Sequence, residues 1–206
     1  NCVLAKNRAT GPASTYSGGG GIAAMRNTSL TMMNCDIVAN EANANGGGVW
    51  SYSQTRYERC LFVSNTSSNS GGGLALRSSD AVKIINCTFS GNASFFSGWQ
   101  SDYGGGALYT QEKANVTICN STFTSNTTTK RCGGILSAGT TSMVLQSVLV
   151  AGNTDTQGYP DVSGVFTGVT NCLIQVTNGV SVVGANNIFN QSALLEPLAN
   201  NGGSTR

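Results

Sequence analysis

The sequence contains no histidine, which removes the commonest general base and imidazole metal ligand from any catalytic scheme. Charged residues make up 10% of the chain, against roughly 25% in ordinary globular proteins. With a formal net charge of +2, they form no basic patch of the kind that grips nucleic acid. No apolar run approaches the ~20 residues of a membrane span. Proline is scarce, at 3 residues, and no glycine loop has the phosphate-binding spacing. The chain opens on Asn1 with no leader ahead of it, so a processed or trimmed polypeptide whose targeting segment is gone is expected. A length of 206 residues leaves room for one domain, or at most two.

What is present is a repeat. The stretch Asn86-Cys87-Thr88-Phe89-Ser90-Gly91-Asn92 recurs along the chain, with its cysteine column at Cys2, Cys35, Cys60, Cys87, Ser121, Val148 and Cys172. Two residues on stands a large apolar side chain each time: Leu4, Ile37, Phe62, Phe89, Phe123, Val150 and Ile174. Five residues on stands Asn7, Asn40, Asn65, Asn92, Asn126 and Asn153, with Thr177 in the last copy. Copies 24 to 34 residues apart fall in the range of solenoids and other repeat arrays.

Each copy reads as three short strands. The first follows a glycine cluster, as in Gly46-Gly47-Gly48-Val49. The second has alternating inward positions, as in Val82 and Ile84, or Thr167 and Val169. The third carries the cysteine column and its apolar partner. Period-two alternation in such short runs indicates strand, and nothing has helical spacing. Asparagine before the cysteine column (Asn34, Asn86, Asn120, Asn171) suits a left-handed corner. The fold class predicted is all-β: a single-stranded, right-handed parallel β-helix of about seven coils with three short strands each. At ~4.8 Å per rung, its length is on the order of 30 Å. The solenoid is expected over residues 1–180. An irregular segment, 181–206, is expected to pack on or cap the last coil.

Five of the seven cysteines share one column, so a ladder of buried thiols is the simpler reading, although stacked neighbours are close enough to bridge. Cys119 and Cys132 fall outside it and are the candidate disulfide pair. Variation in coil length falls between the column asparagine and the next glycine cluster, so all insertions leave the rod at one edge. The longest, residues 93–103, holds Phe95, Phe96, Trp99 and Tyr103. These aromatics either fold back over the solenoid or form an interface or sugar-stacking platform.

The Gly-Gly-Gly-Ile and Asn-Cys-Thr-Phe-Ser-Gly-Asn pattern resembles the right-handed parallel β-helix repeats of large secreted and surface proteins, among them polymorphic outer-membrane and other adhesin-like chains. Asp161 to Phe166, followed by Glu196 to Gly203, is similar to the end of the solenoid in choice-of-anchor surface proteins. The resemblance implies an extracellular or cell-surface protein, with more sequence following toward an anchor. It bears on fold far more than on activity.

A glycosidase needs two carboxylates across the scissile bond, and a calcium-dependent lyase needs clustered acids. The nine acids do not line up in the columns, so no catalytic residue, metal site or cofactor is expected. Arg56 and Lys83 stack four residues before the cysteine column; they are either a solvated pair or a site for carboxylate or sulfate. Sequons stand at eight asparagines. Asn65, Asn92 and Asn126 belong to the inward column, whereas Asn27, Asn86, Asn115, Asn120 and Asn190 are the candidate N-glycosylation sites. The chain opens inside a third strand, so its first coil has a bare edge that head-to-tail stacking into a homopolymer would cover. The function expected is a non-catalytic structural or adhesive solenoid, a surface-coat or filament subunit, with itself and glycans or cell-surface carbohydrate as the expected partners. The alternative is a carbohydrate-active enzyme (polysaccharide lyase or hydrolase) or a carbohydrate-binding module.

Overall fold

A computed structural model describes residues 1–12, 17–77, 81–98, 102–112, 114–138, 142–178, 180–181, 184–196 and 198–199. Among these residues, all regular structure is strand, every strand pairing is parallel, and each strand pairs with its counterpart one coil away. The protein is a parallel β-helix with three walls. The first wall follows the glycine clusters and contains Ile22–Ala24, Val49–Ser51, Leu74–Leu76, Leu108–Thr110, Ile135–Ser137 and Val162–Gly164. The second runs from Ser29–Met33 through Gln54–Glu58, Ala81–Ile85, Asn115–Cys119, Ser142–Gln146 and Gly168–Thr170 to Gly184–Ala185. The third carries the Phe column and runs from Val3–Ala5 to Ile188–Phe189.

Two features depart from the three-strand expectation. A fourth, two-residue strip follows the asparagine column: Arg8–Ala9, Glu41–Ala42, Thr66–Ser67, Ala93–Ser94 and Thr127–Thr128 pair in one narrow sheet. Pairing also continues past residue 180, where Gly184–Ala185 and Ile188–Phe189 add rungs to the second and third walls. One inward position changes hands as well. Thr167 is exposed, and Phe166 fills the core beside it.

The core is built by identical side chains on successive rungs. Phe62 and Phe89 stack at 4.3 Å and Phe89 and Phe123 at 4.6 Å, with planes within 6° of parallel. Tyr57 meets Phe62 edge-on at 5.6 Å. These rings are fully buried, so each contributes the burial free energy of a large apolar side chain together with offset stacking.

Corners are set by backbone handedness. The residue before the cysteine column is left-handed at Asn34, Arg59, Asn86, Asn120, Ser147 and Asn171 (φ 48 to 55°). The residue before the asparagine column is left-handed too: Lys6, Ala39, Ser64, Gly91, Ser125 and Gly152 (φ 52 to 67°). The cysteine column secures the first of these corners. Cys35, Cys87 and Cys172 each donate Sγ–H to the carbonyl two residues back, at 3.2 to 3.3 Å. Ser121 does the same through Oγ at 2.8 Å, which explains why serine substitutes for cysteine there.

The asparagine column is a continuous amide ladder. Asn65 donates its backbone N–H and Nδ2 to Oδ1 of Asn92, at 3.0 and 2.9 Å, and Nδ2 also reaches the Ile37 carbonyl at 2.8 Å. The same three bonds recur at Asn40, Asn92 and Asn126. The ladder ends on Asp161, which sequence columns did not place there. Its Oδ1 accepts from Asn153 N and Nδ2, and its Oδ2 from Val176 N at 2.9 Å. Thr177 instead donates to Oδ1 of Asn190.

Among the glycines, the one two residues before each of the strands at Ile22, Val49, Leu74, Leu108 and Ile135 has no room for a side chain. A Cβ on Gly72 would lie 2.3 Å from the Ala93 carbonyl and 2.5 Å from that of Gly106. Gly72→Ala is expected to cost at least about 2 kcal/mol. Gly91→Ala, with open space around it but φ of 63°, is expected to cost about 1 kcal/mol. Urea midpoints of the two variants check the order, and equal losses would contradict it.

Burial pushes the Asp161 carboxyl up from its ordinary value, against the hydrogen bonds from Asn153 and Val176. The folded chain therefore keeps this proton to higher pH than the unfolded chain. The contribution of Asp161 is most favourable below the unfolded pKa and is lost as pH rises through the raised folded value. Asp161→Asn is expected to flatten that part of the stability curve. Denaturation of both proteins between about pH 3 and 7 measures it, and parallel curves would refute the assignment.

Candidate functional site

The first wall has an unusual outer face. Alternation sends the first and third residues of each strand into the core and the middle residue out. The middle column reads Ala23, Trp50, Ala75, Tyr109, Leu136 and Ser163. An outward column should be exposed. Yet Trp50, Ala75, Tyr109, Leu136 and Ser163 are at most 5% exposed, and the first four form a second apolar cluster outside the solenoid core.

Side chains from the two flanking corners cover this column. From the corner after the wall, Arg77 Nε donates to Glu112 Oε1 at 2.7 Å, and Tyr52 donates its hydroxyl to Glu112 Oε2 at 3.3 Å. Arg26 lies 4.0 Å over the Tyr52 ring, which leans on Trp50 at 6.1 Å. From the insertion-bearing edge come Tyr103, stacked on Phe96 at 4.3 Å, and Arg131, 4.5 Å over the Tyr159 ring. Burial pushes the Tyr109 phenol up; Tyr103 and Asp102 add to the rise and Arg77 opposes it.

Between these corners, over Tyr109, Leu136 and Ser163, opens a cleft of about 400 Å³, within the range of small-molecule sites. Asp102 and Arg131 line one side, and Gln111 and Val165 the other. The large aromatics Trp50 and Tyr109 at outward positions were the sequence signal for this face. Nothing in the sequence indicated that corner residues would cover it.

The aromatic loop is divided. Phe95 is 50% exposed, while Phe96 folds onto Tyr103, with Lys130 5.8 Å from its ring centroid. Trp99 lies outside the described residues. Arg56 and Lys83 are register partners on the second wall. Arg56 is bound to Glu58 at 2.7 Å, and Arg59 pairs with the same carboxylate. The hydrogen bond from Arg56 holds the Glu58 carboxyl below the usual range. The candidate disulfide is corrected. Cys119 and Cys132 are both free thiols, and they lie on different walls. Cys119 ends a second-wall strand with Sγ 3.9 Å from Gln146 Oε1. Cys132 is buried in the outer cluster of the first wall, at the left-handed position (φ 67°) that Gly46, Gly71 and Gly105 hold elsewhere.

Of the cysteine column, Cys35, Cys60, Cys87 and Cys172 are buried and Cys2 is exposed. Asn65, Asn92 and Asn126 are wholly buried, with their amides used in the ladder, so those sequons have no free nitrogen to bear sugar. Asn27, Asn115, Asn120 and Asn190 are exposed, and Asn86 is half-buried.

Arg77 is the clasp over the outer cluster, with its side chain 13% exposed and that of Glu112 37%. Arg77→Leu is expected to cost about 1–2 kcal/mol, less than a fully buried pair because Glu112 keeps access to water. A urea midpoint unchanged from that of the parent would contradict the clasp.

No curated protein and no solved structure matches the chain significantly. The family described as right-handed β-helix region matches residues 1–203. With its stacked parallel walls and amide ladder, the chain belongs to the right-handed β-helix family.

Proposed function

We propose that this chain is a non-catalytic recognition solenoid of the extracellular or cell-surface type, a rigid rod that holds glycan-contacting side chains along one side. The observation that carries the reading is the placement of the insertions. They leave the rod beside the first wall and carry the exposed Phe95 and the Phe96–Tyr103 stack, while Asp102 and Arg131 of the same edge line a polar cleft. Aromatic faces and planar guanidinium groups on a rigid support bind sugar rings at little entropic cost.

The acids support the absence of catalysis. Glu41 pairs with Arg8, Glu58 with Arg56 and Arg59, and Glu112 with Arg77 and Tyr52. Asp155 accepts from the backbone of Cys132, Gly158 and Tyr159, and Asp161 closes the amide ladder. Each is engaged in holding the fold, and none of these carboxylates faces another as an acid–base pair would. Low charge and exposed sequons fit a surface solvated by glycan. End-to-end association of coils belongs to the same reading, because terminal rungs of a solenoid offer strand edges to a further coil.

Incubation with immobilised neutral and acidic polysaccharides tests it. Retention is expected without new reducing ends or unsaturated products, and Phe95→Ala is expected to weaken retention several-fold. Depolymerisation would overturn the non-catalytic reading, and absence of retention on every polysaccharide would overturn recognition. Sedimentation of the same samples is expected to show size growing with concentration. A constant monomer mass would remove the association.

A further inference from the structure

The cleft over Tyr109, Leu136 and Ser163 contains polar groups that the fold itself does not use. Ser163 is 0% exposed, and its hydroxyl has no hydrogen-bond partner among the described residues. Arg131 Nε, on the neighbouring rung, is likewise buried without one. Buried polar groups are nearly always paired, and the exceptions call for an explanation. Four other buried side-chain atoms are unpaired among the described residues, Thr55 Oγ1, Tyr57 OH, Ser67 Oγ and Thr110 Oγ1, but none of those residues lines this cleft. Here two unsatisfied groups line the same cavity of about 400 Å³.

Charge narrows the ligand. Asp102 and Arg131 both line the cleft, so an anionic ligand meets the aspartate and a cationic one meets the arginine. A neutral ligand with several hydroxyls meets neither penalty. Its oxygens accept from Arg131 and donate to Asp102, while Ser163 and Gln111 each do either. The floor supplies Tyr109 and Leu136, a surface for the C–H face of a sugar ring. The two sides come from different corners of successive coils, so the recognition geometry is held by the rungs rather than by one loop.

We propose that this cleft is a binding site for one neutral pyranose unit of a glycan, held by Arg131, Ser163 and Asp102 over Tyr109 and Leu136. This deepens the recognition reading above and rests on it, but it concerns a site distinct from the exposed Phe95 platform.

Isothermal titration calorimetry of the full chain with glucose, galactose, mannose, N-acetylglucosamine and glucuronate tests the site. Saturable millimolar binding of at least one neutral sugar is expected, with little for glucuronate. Ser163→Ala and Arg131→Gln are each expected to weaken it about tenfold, the loss of one buried hydrogen bond. Thermal melting keeps the result interpretable: Ser163→Ala removes only an unpaired hydroxyl, so its midpoint is expected to hold. No saturable binding to any neutral sugar would overturn the site, while polysaccharide retention would separately decide the broader reading. A preference for glucuronate would overturn the neutral assignment. Sugar binding unaffected by either cleft substitution would place it elsewhere.

Discussion

The side-chain amide of a buried asparagine has two donor hydrogens and two acceptor lone pairs, and this solenoid depends on every one of them being used. Asn65 accepts twice at Oδ1 from Asn40, donates once to Asn92 and once to the Ile37 carbonyl. No other residue of that size meets all four demands: aspartate cannot donate and leucine can do neither. An amide out of register by one rung would leave buried donors unpaired at several positions, each at about 1–3 kcal/mol. The ladder therefore fixes register as well as stability.

The rest of the coil is arranged around that fixed point. Left-handed residues on either side of the third wall, such as Asn86 and Gly91, turn the chain sharply enough to bring the amide inward. The glycine cluster then lets the next coil approach the narrow strip, where Gly72 packs against the Ala93 carbonyl. The Phe62–Phe89–Phe123 stack follows from the same register, because rings two residues before a corner must superpose once the corners do. Where the ladder runs out, Asp161 substitutes a carboxylate that only accepts, and a Val176 N–H takes up its second oxygen.

The acids and bases are few, and most are spent on the framework. Glu58, Glu112 and Asp155 each close a corner or a loop. Of the unpaired buried groups among the described residues, the Ser163 hydroxyl and Arg131 Nε belong to residues that line one cleft. The covered outer face of the first wall is what separates this rod from a plain stack of coils. It adds a small second core, and beside that core a polar cleft bounded by two sets of corners.

The columns at Cys87, Phe89 and Asn92 made the coil, its strands and its left-handed asparagine corners legible, because a repeat displays the same physical demand several times over. The same columns failed where a substitute met the demand with different chemistry. Cys132 stands in a glycine position, Asp161 in the asparagine ladder, and Phe166 in an inward slot whose alternation pointed to Thr167. Exclusion of the Cys119–Cys132 pair also required the walls, since sequence distance says nothing about which side of the rod a thiol faces. The cleft was the least legible of all. Its residues come from three coils and two corners, and none belongs to a repeated column except the floor. Sequence by itself determined the coil, because coil formation is a local and repeated requirement. The site was decided by tertiary structure, because it depends on which non-repeating side chains the stacking of rungs brings together.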